Sequence, residues 1–237
     1  MIDLLTWDIN YHIENSRVHG FRTACCWLKP YKTELTDGKV VNVCPFSTPG
    51  CRESCLAYCG HGKCLVVQRA REARVRFLFE DRAGFLAQLC EEIAAFVRSC
   101  ERSGFKPAIR LNASSDIPWE SEAFGRIIQR FPSVQFYDYT KNFVRAVSLK
   151  LPNYHLTYSM HEKSWSQAEA EIALRYGVNV AVVFEEMPET FLGRPVISGD
   201  IHDLRFLDPK RVVVGLRPKG KARHDRSGFV IRDIPSG

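Results

Sequence analysis

Cysteine supplies the first chemistry in this sequence. Five of its nine cysteines fall within the stretch Cys44-Pro-Phe-Ser-Thr-Pro-Gly-Cys51-Arg-Glu-Ser-Cys55-Leu-Ala-Tyr-Cys59-Gly-His-Gly-Lys-Cys64. Thiolates are nucleophiles and soft metal ligands, and this many on a turn rich in glycine and proline are not explained by packing. The spacing is Cys44-x6-Cys51-x3-Cys55-x3-Cys59-x4-Cys64. Zinc ribbons and knuckles usually pair their cysteines as C-x2–4-C twice across a longer spacer, and no second pair follows here. Compact loops of three or four thiolates are more typical of iron–sulfur clusters. The loop thus predicts a metal centre. A 4Fe-4S cluster is the leading reading, zinc the alternative, and a set of redox or merely buried thiols the third. Cys90 and Cys100 lie in a helical pattern and read as small buried hydrophobes. The Cys25-Cys26 doublet, inside an expected strand, reads the same way.

A second set of candidates is polar and gathers where expected strands end. Asn112, Ser114, Ser115 and Asp116 follow one strand, before Pro118 and Trp119 stop it. They read as a grip on substrate or cofactor, with a helix cap at Ser115 or Asp116 as the plainer alternative. Asp138, Tyr139 and Lys141 close the next strand. A carboxylate, a phenol and an amine together can relay protons or hold an anion; the bland reading is an Asp138–Lys141 pair that orders the loop. Arg110 shares a strand face with Asn112, Asp138 shares one with Thr140, and His155, Thr157 and Ser159 share a third, with Glu162 just beyond. A lone histidine is more often a hydrogen-bonded core residue than a base. The candidate assignment makes Asp116, Asp138 and Lys141 catalytic, and gives substrate contacts to Arg110, Asn112, Ser115, Tyr139, Thr157, Ser159 and Lys219. Asp200, Asp203 and Asp208 place three carboxylates within nine residues, where turn capping outweighs a cation site. Arg217, Lys219, Lys221 and Arg223 form a basic segment, read either as a phosphate contact or as a solvated charge run.

These residues need a scaffold, and the pattern is one of alternating strands and helices. Strands are expected at 23–28, 107–113, 134–140, 154–159, 178–184 and 211–216, with an edge pairing at 228–234. Helices are expected at 121–130, 142–150 and 166–176, and as two helices across 65–102 broken near Asp81. Leu86, Leu89, Ile93, Phe96, Val97 and Cys100 recur at helical spacing and should face the core. Such alternation implies parallel strands joined by right-handed crossovers. The expected fold is therefore α/β, a single-domain parallel (βα) barrel over 1–237, complete or partial and TIM-like, with the cysteine-rich loop after the first strand. No G-x-G-x-x-G follows that strand, which argues against an open dinucleotide-binding sheet. Active sites of such barrels lie at the carboxyl ends of the strands, where the cysteine loop and the polar clusters both fall.

Bulk properties exclude little else. With 237 residues, 45% hydrophobic and 25% charged, the chain can bury a sizeable core. No apolar run approaches the roughly 18–20 residues that cross a bilayer, and the N-terminus has no basic region followed by an apolar segment. A cytoplasmic protein without a membrane partner is expected. The net charge of +6 permits a nucleic-acid partner without requiring one.

Several runs occur in one order from about Cys44 to Phe229: Cys44-Pro-Phe-Ser-Thr-Pro-Gly-Cys51, Cys55-Leu, Arg110-Leu-Asn-Ala-Ser-Ser-Asp-Ile-Pro-Trp-Glu120, Phe136-Tyr-Asp-Tyr-Thr-Lys141 and Asn153-Tyr-His-Leu-Thr-Tyr-Ser159. They continue with Ala181-Val-Val-Phe184, Ile197-Ser-Gly-Asp200, Asp203-Leu-Arg-Phe-Leu-Asp208 and Val214-Gly-Leu-Arg-Pro-Lys-Gly220. On these runs the sequence resembles phage and prophage proteins carrying the "gene product 88" domain, which implies the host cytoplasm as its setting. The resemblance implies Cys44, Cys51 and Cys55 as the shared ligands, with Cys59 and Cys64 where relatives often carry non-ligating residues. It also favours a role for Lys219 beside Gly220. Three thiolates would leave one iron of a cubane open, which is similar to radical S-adenosylmethionine (SAM) enzymes, whose open iron chelates SAM on a partial barrel. Their C-x3-C-x2-C spacing differs from the C-x6-C-x3-C here, and from C-x3-C-x3-C through Cys51, Cys55 and Cys59, where Tyr58 mimics an aromatic of that motif. The likeness is one of fold and site. The sequence as a whole leads to an iron–sulfur enzyme acting on a small-molecule, nucleotide or nucleic-acid substrate, with a zinc-stabilised nucleic-acid protein as the alternative.

Overall fold

The computed structural model describes residues 2–7 and 12–232, apart from the side chains of 12–14. The first half of the chain forms β1 (Leu5–Trp7), α1 (His12–Val18), β2 (Phe21–Cys26), β3 (Lys32–Glu34), β4 (Val40–Asn42), α2 (Pro49–Glu53), α3 (Leu65–Glu80), α4 (Arg82–Arg102) and β5 (Lys106–Arg110). The second half forms α5 (Ile127–Arg130), β6 (Gln135–Thr140), α6 (Phe143–Ser148), β7 (Tyr154–Ser159), α7 (Ser166–Arg175), β8 (Val180–Phe184), β9 (Thr190–Phe191), β10 (Arg194–Ser198), β11 (Val213–Leu216) and β12 (Val230–Ile231). Backbone contacts divide the chain into two compact units. Unit 1 comprises Met1–Pro45, Gly62–Asp138 and Leu151–His155; unit 2 comprises Phe46–His61, Tyr139–Lys150 and Leu156–Gly237.

The break expected near Asp81 has a local cause. Asp81 leaves helical geometry (φ −135°, ψ 72°), and its side chain accepts the Gly84 N–H at 2.9 Å, capping α4 as α3 ends. Phe85, Leu89, Ile93, Phe96 and Cys100 recur every three or four positions and are fully buried. Leu86 and Val97, also expected inward, flank that stripe and are half-buried. α4 packs on β1 and β5 within unit 1, where Phe85 lies 5.4 Å from Phe77 and 6.2 Å from Trp119, ring centre to ring centre. In unit 2 the core is Ala146, Tyr158, Ala170, Ala173, Leu174, Val180, Val182, Phe184 and Val213. Val180 and Val182 alternate with neighbours along β8 yet the strand is buried on both faces, as parallel strands covered by helices are.

Among the described residues the main sheet has ten strands in the order β1-β2-β5-β6-β7-β8-β11-β10-β9, with β12 on β8. Pairs β2–β5, β5–β6, β7–β8, β8–β11, β10–β11 and β8–β12 are parallel. β1 is antiparallel to β2 and β9 antiparallel to β10. This corrects the barrel expectation: the fold is a mixed α/β sheet that stays open. A barrel closes only if its outermost strands pair with each other. Here, among the described residues, the outermost strands are the antiparallel partners β1 and β9, which end the sheet instead. β3 and β4 form a separate hairpin.

Candidate functional site

Unit 2 builds a thiol-bearing turn. Thr48 is extended (φ −94°, ψ 165°) and its hydroxyl accepts the Cys51 N–H at 3.3 Å, capping α2, with Pro49 at the start of the helix. Glu162 closes the same end: Oε2 accepts from Thr48 Oγ1 at 2.7 Å, and Oε1 accepts the Gly50 N–H at 3.0 Å. Burial pushes the Glu162 carboxyl up, but the hydrogen bonds from Thr48 and Gly50 outweigh it and hold it below the usual carboxylate range. A Cβ on Gly50 would lie 2.3 Å from Ser227 Oγ and 2.8 Å from Phe229 Cβ, so the first turn of α2 is pressed onto those residues and admits only glycine. Cys51 stands in α2, while Cys55 precedes and Cys59 follows the 3-10 turn Leu56–Tyr58. None of the three is in a disulfide, and all are half-buried. Gly220, at φ +57°, lies so close that a Cβ there would be 2.2 Å from Cys59 Sγ.

The remaining cysteines fall into two kinds. Cys25, Cys26 and Cys100 are buried, as their expected packing role requires, and burial pushes the Cys26 thiol up to about 12. Cys90 is half-buried and burial raises its thiol as well. Thiols held protonated are poor ligands. Cys44 belongs to unit 1, where its Sγ accepts the Tyr31 N–H at 3.4 Å and donates to the Ser114 carbonyl at 3.5 Å. Cys64 is exposed at the start of α3. Among the described residues, no three His, Cys, Asp or Glu side chains converge into a group able to hold a metal ion. The donor types suit a cluster or zinc; their arrangement does not gather them.

Just past β6, Lys141 clamps the end of β7. Its Nζ donates to Ser159 Oγ at 2.9 Å and to the carbonyls of Ser159 and Met160 at 3.3 Å, and it lies 4.9 Å from the centre of the Phe229 ring. Next along, His161 is buried; burial first, and the Lys141 charge second, lower its imidazole from 6.5 to about 4. Thr157 is buried and its hydroxyl has no hydrogen-bond partner among the described residues.

In unit 1 the polar cluster after β5 is a closed network. Asp138 accepts the Asn112 N–H at 2.8 Å, Asn112 Nδ2 at 3.3 Å and Tyr154 OH at 2.8 Å. Asn112 Oδ1 accepts from Ser115 Oγ and the Ile117 N–H, both at 2.8 Å, and from Trp119 Nε1 at 3.1 Å, while Nδ2 donates to the Ile117 carbonyl at 2.9 Å. Asn112, Ser115 and Asp138 are all buried. A buried network satisfied to this degree rigidifies the strand ends.

A family model described as gene product 88 matches residues 10–233. The chain belongs to that family. The Gene 88 protein of Mycobacterium phage L5 is 31% identical over 124 residues, 48% of this chain and 52% of that protein. The match thus spans about half the length of that curated relative. No solved structure matches the chain.

In this gene product 88 family member the expected site residues therefore fall into separate groups. Asn112, Ser115 and Asp138 meet in unit 1, where Arg110 pairs across β2 with Cys25 and the half-buried Asp116 donates its N–H to the Val43 carbonyl. Lys141 and Ser159 meet in unit 2, where Tyr139 is half-buried on β6. Lys219 pairs with Asp200 at 2.8 Å, and Asp208 lies 3.3 Å from the buried Arg205, so two of the three clustered carboxylates serve ion pairs. Burial, with Asp203 beside it, pushes Asp208 up to about 6 against the pull of Arg205. Sequence reasoning left Glu162 without a role, and no local signal marks its contact with Thr48. It also passed over Arg226 and Arg232. No helix among the described residues is long and apolar enough to cross a membrane.

Proposed function

We propose that the chain is a thiolate-ligated metalloprotein in which the cysteines of the 51–59 turn bind an iron–sulfur cluster of the 4Fe-4S type. The observation that carries this reading is the division among the cysteines. Cys51, Cys55 and Cys59 are half-buried, outside any disulfide, and sit on a turn anchored by Glu162, whereas Cys25, Cys26 and Cys100 are core residues. The thiols are not gathered in the fold as it stands, so ligation requires the turn to close around the metal, as coupled metal binding and folding commonly does. An iron lacking a thiolate would take a small ligand, with SAM as the candidate and a nucleotide or nucleic acid as the substrate class. The second reading is a structural zinc at the same thiols in a nucleic-acid-binding or processing protein, which the net charge of +6 favours.

The test is anaerobic purification with iron, sulfide and zinc counted per chain, repeated on Cys51→Ser, Cys55→Ser, Cys59→Ser and Cys44→Ser. About four irons with matching sulfide support the cluster, and the serine variants identify its ligands. A change in the cluster's spectrum on adding SAM would support the open iron. About one zinc without sulfide moves the conclusion to the structural clamp. Wild-type protein free of both metals refutes both readings.

A further inference from the structure

Unit 2 contains a cavity of about 460 Å³ lined by Arg223, His224, Asp225, Arg226 and Arg232. Its size lies in the range of about 300–1,000 Å³ occupied by small-ligand sites. Two side chains shape it. Asp225 ties down its own loop: Oδ1 accepts from Ser227 Oγ at 2.7 Å and the Ser227 N–H at 3.2 Å, and Oδ2 accepts the Val230 N–H at 3.0 Å. Burial pushes this carboxyl up, yet those hydrogen bonds prevail and hold it below the ordinary range. Arg232 braces the backbone from the other side. Its Nε donates to the Asp225 carbonyl at 3.2 Å, Nη2 donates to the Arg223 carbonyl at 2.9 Å, and Nη1 pairs with Glu185.

The charges of the lining are thus unequally committed. The one carboxylate spends its acceptors on its own turn, and Glu185 neutralises Arg232. Arg223 and Arg226 are exposed, and among the described residues neither guanidinium has a hydrogen-bonding or ion-pairing partner. His224 is exposed beside them. Two free guanidinium forks on a braced backbone suit a ligand with several anionic oxygens, and phosphate presents three strong acceptors where a carboxylate presents two.

We infer that this cavity is a phosphate-binding site, with Arg223 and Arg226 as the phosphate contacts and Arg232 as the positioning residue that holds their loop. The inference does not rest on a metal at the thiols. The phosphate comes either from a free nucleotide or from a nucleic-acid backbone, and the experiment separates the two. Binding of inorganic pyrophosphate, adenosine diphosphate and a short single-stranded oligonucleotide is measured by calorimetry on the full chain over a range of salt. The wild type is compared with Arg223→Glu/Arg226→Glu, with the conservative Arg223→Lys/Arg226→Lys, and with Arg217→Glu/Lys221→Glu. The last pair reverses the same charge on the same segment outside the lining. Circular dichroism confirms that each variant is folded.

A nucleic-acid source predicts oligonucleotide binding whose logarithmic salt slope falls by about 1.4 in the Arg223/Arg226 glutamate variant, two contacts at about 0.7 each on a single strand. A free-nucleotide source predicts pyrophosphate and diphosphate binding, without the oligonucleotide, weakened about tenfold or more on losing a charge-assisted contact. Either source predicts a smaller loss in the lysine variant and near-wild-type binding in the Arg217/Lys221 control. Equal losses in the control, or no binding of any probe by the wild type, overturn the assignment.

Discussion

His161 should make this protein acid-sensitive by a calculable amount. It lies just beyond β7 at 7% exposure; its N–H donates to Ser166 Oγ at 3.0 Å, its Nδ1 accepts the Lys163 N–H at 3.3 Å, and its ring stands edge-on to Trp165. Burial, then Lys141, lowers the imidazole from 6.5 to about 4; Lys163 acts in the same direction and Glu162 opposes them. Above 6.5 the ring is neutral in both folded and unfolded chains. As pH falls from 6.5 towards 4, the unfolded chain takes up a proton that the native chain refuses, so stability drops. Below about 4 both states are protonated and the loss is complete. At roughly 1.4 kcal/mol for each tenfold change in proton affinity, the ceiling is about 3 kcal/mol, a large share of the about 5–15 kcal/mol that holds a domain folded. The assay is urea unfolding at about pH 7 and about pH 4 of wild type and His161→Asn, whose Oδ1 can replace Nδ1 as acceptor for Lys163. Glu162, Asp225 and Glu72 are held below the usual carboxylate range and also lose stability in acid, so the difference between the two proteins is the quantity read. The wild type should lose up to about 3 kcal/mol more than the variant over that interval. Parallel losses, or an imidazole titrating near its ordinary value by NMR, would refute the reasoning.

Two further substitutions probe the thiol turn and the buried network. Gly220→Ala should cost at least about 1–2 kcal/mol, because φ +57° disfavours a side chain and the new Cβ would meet Cys59 Sγ. Adding Cys59→Ala should recover the steric share alone; thermal unfolding of the single variant at the wild-type temperature would show that Gly220 is not seated on the sulfur. Asp138→Asn places an NH2 against donors from Asn112 and Tyr154, and should destabilise unit 1 by about 1.5–3 kcal/mol in urea unfolding. Unchanged stability would mean that the network does not need the charge, and would return Asp138 to the catalytic role its position suggested.

Local rules accounted for the local elements. β7 runs over Tyr154–Ser159, the residues its alternation marked, and the helix break at Asp81 follows from one capping side chain. Where the pattern was short or interrupted, those rules failed. β1, β3 and β4 have three residues each and β9 has two, too few to show a period. The helix expected over 121–130 becomes a 3-10 turn at Glu122–Phe124 and the short α5, because Gly125 and Arg126 adopt positive φ between them. A left-handed arginine is rare and leaves no mark in the pattern.

By itself, the sequence determined the residue types available for chemistry and the elements that carry them. It supplied a loop of five thiols, an alternation of strands and helices, and polar residues at the strand ends, all of which depend on neighbours in the chain. It also carried the runs that place the chain in the gene product 88 family. Only the tertiary structure decided that the sheet stays open, since closure depends on which strands lie outermost. Only the fold spent Asn112 and Asp138 on a buried network, joined Glu162 to a helix more than a hundred residues earlier, and left Arg223 and Arg226 without a partner among the described residues beside a cavity. The physical reason is the same in each case. Hydrogen bonds and charges are allotted between groups far apart in sequence, and no local spacing records which of them will find partners.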